Sequence, residues 1–510
     1  MQENNMSFVQ RLFAKACIAA RENAIPFLSA LGFGLAAHMF AFSNKLMNAD
    51  EVESLFGKGA TVTSGRWGLE AIKIIFPDAS MPWLYGMVSL ILLALSACII
   101  IKLFKIENPL MRFLLAGMVT AFPSQTGVFC FMFTSSAYAL AFLLSVLCVW
   151  LFVRGKLFER AVAVLCLVIS LGIYQAYVAV TASLFVLYII VQCMEEESSI
   201  WQIILFAFRA LGMMLIALTA YYGISQLALS LNATGFNDYV MDNVNEAGII
   251  SRIRMAYDFL YYTLSYREFG LVSGKFSLYL HLACMGICVA ALFAKSLSML
   301  KGRKALAALL MLFCSALLPL AVYCIFLVMD KGSIHTLVFH SFIAFYVLAA
   351  ILCEKVLAGG ARIKCLGRDM LYLALAVALV SNIYLANKTY LKLYLQYENA
   401  WSFCSILLTR VQNTEGFDEN CSLAIIGDQD NKLTTFPQID LGWQSGPSHD
   451  LINIYSRENF FRHYLGSTIE LVDREEFDDI RELPEFEQMS EYPYYGSVRK
   501  IGDYIVVKLG

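Results

Sequence analysis

The stretch NADEVESLFGKGATVTSGRWG, residues 48–68, puts Asp50, Glu51 and Glu53 in one short run and Arg66 next to Trp67. These residue types can do chemistry together. A carboxylate can take the proton of a hydroxyl. A guanidinium holds a phosphate through two parallel hydrogen bonds. An indole suits a sugar face or the edge of a lipid boundary. Gly57, Gly59, Gly65 and Gly68 let the loop fold tightly around them. Acids at a helix end are usually just solvated. The combination with Arg66 and Trp67 is what suggests a lipid-phosphate substrate.

The elements that must position these residues are apolar helices. The 510-residue chain is 59% hydrophobic and only 15% charged, against about 25% charged in ordinary soluble domains. Its mean hydropathy is +0.64. A membrane span needs about 20 mostly apolar residues. Eleven segments read as spans: 24–46, 81–104, 109–123, 128–153, 160–174, 176–193, 201–231, 273–297, 304–329, 334–357 and 369–390. The break PSQTG, 123–127, separates the third from the fourth, because Pro and Gly interrupt helices. The first run is too long for a cleaved signal core and reads as an anchor that stays.

Basic residues cluster on one side of these spans: Arg11, Lys15 and Arg21; Lys102, Lys105 and Arg112; Arg154, Lys156 and Arg160; Lys295, Lys301, Arg303 and Lys304; Arg362, Lys364 and Arg368. The positive-inside tendency makes that side cytoplasmic. The N-terminus is then inside, and 47–80, 123–127, 232–272, 330–333 and the tail are outside.

Net charge is −2 overall, but residues 396–510 hold 20 of the 40 acids and only 9 of the 38 Lys and Arg. The chain therefore divides into a basic membrane domain, 1–395, and an acidic C-terminal domain, 396–510. The tail reads as a small α/β module: a helix over ENAWSFCSILLTRVQ, a strand over SLAIIG (422–427) and a hairpin turning at Gly502-Asp503. The fold class is an all-α polytopic membrane protein with a small extracytoplasmic α/β module. The bases are scattered at helix ends rather than massed on one face, so nothing points to a nucleic-acid partner and none is expected. Twelve of the 14 cysteines precede residue 396, nearly all in apolar runs, and read as small buried hydrophobes. No Cys/His spacing calls for zinc. Cys404 and Cys421 could pair if the tail is extracytoplasmic; their spacing leaves this open.

Other polar residues at membrane depth are secondary candidates for substrate binding. Gln125 sits in the PSQTG break, which either turns the chain or lines a cavity. Tyr174 and Gln175, with Tyr177, lie at the outer end of a short helix pair. The 232–272 loop carries Asp238, Asp242, Arg252, Arg254, Tyr261, Tyr262, Tyr266 and Arg267, and its part 249–267 suits an interfacial amphipathic helix. Asp330, Lys331 and His335 read as a solvated turn.

Four stretches together carry a family resemblance. NADEVESLFGKGATVTSGRWGLE resembles the acidic pair and SGRW-like stretch of Gtr-type glucosyltransferases, polytopic enzymes of O-antigen and surface-polysaccharide modification. MVTAFPSQTGVFCFMFTSSAYALAFLLSVL and SLGIYQAYVAVTASLFVLYII are similar to two further family stretches, and MSEYPYYGSVRKIGDYIVVKLG to the family's ending. The resemblance implies a GT-C-like fold and an undecaprenyl-phosphate-glucose donor. It implies inverting transfer to a surface glycan on the outer face of a bacterial plasma membrane. It places the catalytic acid at Asp50, with Glu51 beside it, and sets Arg66 in the SGRW-like motif. The expected partners are the lipid-linked donor, a glycan acceptor and membrane lipids. A single phosphate as leaving group requires no metal or other cofactor. Two other readings stand beside this one, a flippase or transporter of lipid-linked glycans and a polysaccharide polymerase. A transporter would carry mid-helix charges and repeated halves; the sequence has few of the former and no repeat.

Overall fold

The computed structural model describes residues 21–76, 79–195, 199–264, 275–301, 304–330, 335–418, 420–427, 452 and 455–509. Asparagine and proline set several helix starts. Asn48 caps α2 (Ala49–Glu53), its side chain accepting from Glu51 N. Asn108 caps α5 (Pro109–Ala121) in the same way, with Pro109 at the first helical position. Around these lie α1 (Ala24–Ser43), α3 (Trp67–Ile72), α4 (Pro82–Leu103), α6 (Pro123–Phe129), α7 (Met132–Arg154), α8 (Leu157–Ile173), α9 (Val178–Met194) and α10 (Ile200–Leu231). There follow α11 (Asp238–Asp242), α12 (Ile249–Leu264), α13 (Lys275–Lys301), α14 (Ala305–Val322), α15 (Ile343–Lys355) and α16 (Arg362–Gln412). In the bundle α1 packs on α4 and α5, α4 on α7, α7 on α8, and α9 on α14.

Each of the eleven expected spans is helical, but two are short. Among the described residues nine helices are long and apolar enough to cross a bilayer. With 13 residues, α5 reaches about 20 Å at 1.5 Å per residue, short of a hydrocarbon core of about 30 Å. It stops because the residue before a proline avoids helical angles: Phe122 is extended (φ −65°, ψ 141°) ahead of Pro123. The expected outer turn at 123–127 is instead the helix α6, and every residue of it is buried. The helix α8 has 17 residues and ends where Tyr174 is extended.

The largest difference from expectation lies in α16. The last span and the first helix of the tail are one 51-residue helix, about 75 Å long. No proline or glycine falls between 369 and 412 to interrupt it. Beyond it the tail holds β1 (Ser422–Ile426), α17 (Arg457–Tyr464), α18 (Phe477–Arg481), α19 (Pro484–Glu487), β2 (Val498–Ile501) and β3 (Tyr504–Lys508). The expected hairpin forms at Gly502, and β1 adds to β3 in parallel, giving the order β1-β3-β2. Along β3 the side chains alternate between two cores. Ile505 and Val507 face one, with Phe403, Phe460 and Phe461. Val506 faces the other, with Phe477 and Phe486. The first of these cores also contains Met47 and Val52 from the loop after α1. Cys404 and Cys421 are both buried thiols and form no disulfide.

Candidate active site

Asp50 and Glu51 are neighbours in sequence with opposite surroundings. Consecutive residues on a helix point about 100° apart, and the Asn48 cap sets the phase. Glu51 points inward and is fully enclosed. Lys45 Nζ and Ser80 Oγ both donate to its Oε1, and Phe133 N donates to Oε2 at 3.1 Å. Asn48 Nδ2 donates to Cys130 O at 3.1 Å, and Lys58 Nζ to Phe133 O at 2.9 Å. The carboxylate thus ties the loop to the turn between α6 and α7. A group so enclosed and so occupied has no room to receive a substrate proton. Glu51, expected beside Asp50 as a second catalytic acid, is therefore placed as an enclosed side chain whose oxygens are taken up by the fold.

Asp50 is only partly buried and accepts no hydrogen bond from a described residue. Burial pushes its carboxyl above the usual carboxylate range. The Arg66 guanidinium pulls it back, while the charges of Glu51 and Glu53 push it further up. It is the open, basic carboxylate of the pair.

Arg66 follows a short 3-10 turn (Val62–Ser64) and Gly65, whose φ of +68° suits glycine. Three elements hold this turn. Gln175 Nε2 donates to Ser64 O at 2.9 Å and reaches Tyr221 Oη at 3.0 Å. Tyr221 Oη donates to Gly65 O at 3.0 Å. Asn237, from the 232–272 loop, donates to Thr63 O at 3.0 Å and to Ser64 Oγ at 2.9 Å. The guanidinium lies over the Tyr174 ring, 5.5 Å from its centroid, and Nη1 is 3.4 Å from Tyr138 Oη. Tyr138 and Tyr174 stack at 4.2 Å. They form an aromatic floor under one cation.

Of the other expected binding residues, Tyr174 is in this floor and Gln175 positions the Arg66 turn. Gln125 lies deeper. His340 Nε2 donates to Val119 O at 3.1 Å, which leaves Nδ1 to accept from Gln125 Nε2 at 2.6 Å. Tyr177 joins the two levels, 5.3 Å from Tyr174 and 6.4 Å from His340. Trp67 is partly buried, and its ring packs on Gly172. Its Nε1 is buried without a partner among the described residues. Arg267, Tyr266 and Lys331 lie outside the described residues. Asp238 and Asp242 sit exposed on α11. The interfacial helix expected over 249–267 is described as α12, and Arg252 ties it to Leu327 O at 2.8 Å.

One residue was missed. The turn holding His335 reads as solvated, yet the structure buries much of that imidazole near Arg66. Burial, and then the Arg66 charge, lower its pKa to about 4. It is neutral at pH 7 and can donate a hydrogen bond without adding charge. The usable signal was its position, directly ahead of an apolar run that begins on the same side as 47–80.

The α3–α8 crossing that carries Arg66 depends on two glycines. A Cβ on Gly68 would meet Gly172 C at 2.7 Å, backbone against backbone, and one on Gly172 would meet the Trp67 ring at 2.5 Å. Neither side can move cheaply. Gly68→Ala should therefore cost about 1–3 kcal/mol, read as a lower midpoint of thermal unfolding in detergent. A wild-type midpoint would disprove this packing.

The profile of the family described as Glucosyl transferase GtrII matches residues 39–353, more than half of the chain. The chain belongs to that family. No curated protein and no solved structure matches it. The GtrII match takes in Asp50, Arg66, Tyr138, Tyr174, Gln175 and His335, and it stops before α16 and the tail. Among the described residues no group of three or more His, Cys, Asp or Glu side chains could hold a metal ion.

Proposed function

We propose that this GtrII-family chain moves a glucosyl residue from polyprenyl-phosphate-glucose to a hydroxyl of a surface glycan, at the extracytoplasmic face of a plasma membrane. The observation that carries the reading is an open carboxylate with a raised pKa, Asp50, beside a cation on an aromatic floor, Arg66 over Tyr174. Asp50 takes the acceptor's proton as its oxygen attacks the anomeric carbon from the face opposite the phosphate. The bond from that carbon to the phosphate oxygen breaks, with inversion, and polyprenyl phosphate leaves. Arg66 meets the charge that develops on the leaving phosphate, a preorganised cation in a partly dry site. His335 is a neutral donor for the same phosphate.

Membranes holding the protein, given radiolabelled polyprenyl-phosphate-glucose and glycan acceptors, should yield labelled glycan. Movement of label across the bilayer without transfer would favour the flippase reading instead. The alternation of basic residues supports a cytoplasmic N-terminus and an outer tail. A cysteine replacing Tyr495, whose side chain is fully exposed, should react with an impermeant maleimide in intact cells. Reaction only after permeabilisation would invert the topology.

The acid limb of the rate profile should identify the base. Asp50 must be deprotonated to act, so turnover rises with pH through its pKa, above the usual carboxylate range. Arg66 holds that pKa down, so Arg66→Ala should move the limb to higher pH as well as slow transfer. Arg66→Lys keeps the charge and should leave the limb in place, while losing the two-pronged geometry. A limb that stays put in Arg66→Ala would separate the two groups.

A further inference from the structure

The tail places side chains beside the candidate base. The helix α17 packs on α2, and Asn459 Nδ2 donates to Glu53 Oε2 at 2.6 Å. The His463 ring meets Phe56 edge-on at 5.1 Å. Beneath these surface pairs, Phe460 and Phe461 of α17 share a core with Met47 and Val52, so the junction rests on buried apolar packing. Tyr455 precedes α17, within reach of the charges of the same acids. Burial, and then the charges of Asp50 and Glu53, push its phenol up to about 12. Yet its side chain is 54% exposed, and that of Phe56 is 63% exposed.

Open aromatic faces bordered by an amide, a carboxylate and an imidazole are the chemistry that grips a sugar. The C–H face of a pyranose covers the rings, and its hydroxyls pair with the planar polar groups. We propose that Phe56, Tyr455, Asn459 and His463 form the acceptor subsite, where a glycan lies between the first loop and the tail and offers a hydroxyl to Asp50. The proposal rests on the glycosyl-transfer reading above and adds the acceptor's place and class. Residues 396–510 hold 20 acids against 9 bases. That charge favours a neutral glycan and repels one built of uronic acids.

The test uses the full chain in membranes, polyprenyl-phosphate-glucose, and two oligosaccharide probes of equal length, one neutral and one containing uronic acid. The neutral probe should be the better acceptor. Tyr455→Ala should raise the half-saturating concentration of the neutral probe about tenfold, the loss expected of one aromatic platform, while the donor's half-saturation stays put. Tyr455→Phe keeps the ring and should restore acceptor affinity to within about twofold, which a folding defect would not do. Tyr495→Ala, on a distant exposed turn, is the control for tail substitutions in general. If Tyr455→Ala and His463→Ala both bind the neutral probe as the wild type does, the subsite is overturned while the transferase reading stands. If the uronic-acid probe is preferred, the class assignment is overturned. If the wild type transfers to neither probe and does not turn over the donor, the parent reading falls, and this one with it.

Discussion

Asp50→Asn should lower turnover by about 10²-fold or more, the usual scale for loss of a general base, while the protein remains folded and binds donor. Asparagine keeps the shape and loses the basicity. The site makes this a clean substitution, because the Asp50 carboxylate takes no hydrogen bond that the fold depends on. The reading is a rate per folded molecule, measured with labelled donor. Near-wild-type turnover would remove Asp50 as the base. The next carboxylates to test would be Asp238 and Asp242, which sit exposed on α11 in the loop whose Asn237 docks on the Arg66 turn.

Glu51→Ala should fail differently. The side chain is 0% exposed, and its removal strands the Ser80 hydroxyl, the Phe133 amide and the charge of Lys45. Lys45 keeps a quarter of its side chain exposed, so the cost belongs at the low end for a broken buried pair, about 3 kcal/mol. It should appear as a lower yield of folded protein and a lower midpoint of thermal unfolding in detergent. Whatever does fold should retain a measurable part of its turnover. Glu51→Gln keeps one oxygen for these donors and should fall between. A Glu51→Ala protein that is fully stable but inactive would return the base to Glu51.

Periodicity and charge made the apolar body legible, because span length and basic flanks are local properties of the chain. That Asp50 and Arg66 share one loop between apolar helices was legible for the same reason. The contrast in surroundings between Asp50 and Glu51 was not. It depends on the rotation of a single helical turn, and that is set by an Asn48 cap whose other partner, Cys130, is far along the chain. The role of Gln175 was also hidden, since an amide at a helix end looks the same whether it meets a ligand or the Ser64 carbonyl. His335 reads as solvated because its polar neighbours suggest a wet turn, whereas its imidazole is largely buried within reach of the Arg66 charge. The unbroken α16 was concealed by a drop in hydropathy after residue 390, which marks where apolar surroundings end and says little about where a helix ends.

That helix and the core it serves bear on how such chains can be recombined. Met47 and Val52 lie within the family-matched region, whereas Phe403, Phe460 and Ile505, which they pack against, lie beyond it. Exchanging tails between relatives would break this packing unless the loop after α1 were exchanged as well. A hybrid joined in the middle of α16 would also have to preserve its helical phase, since one inserted residue rotates the whole tail by about 100° and would swing Tyr455 away from Asp50. Loop and tail therefore form one transplantable unit although most of the chain separates them, and substitutions at Met47 and Val52 in relatives should be matched by changes in the tail.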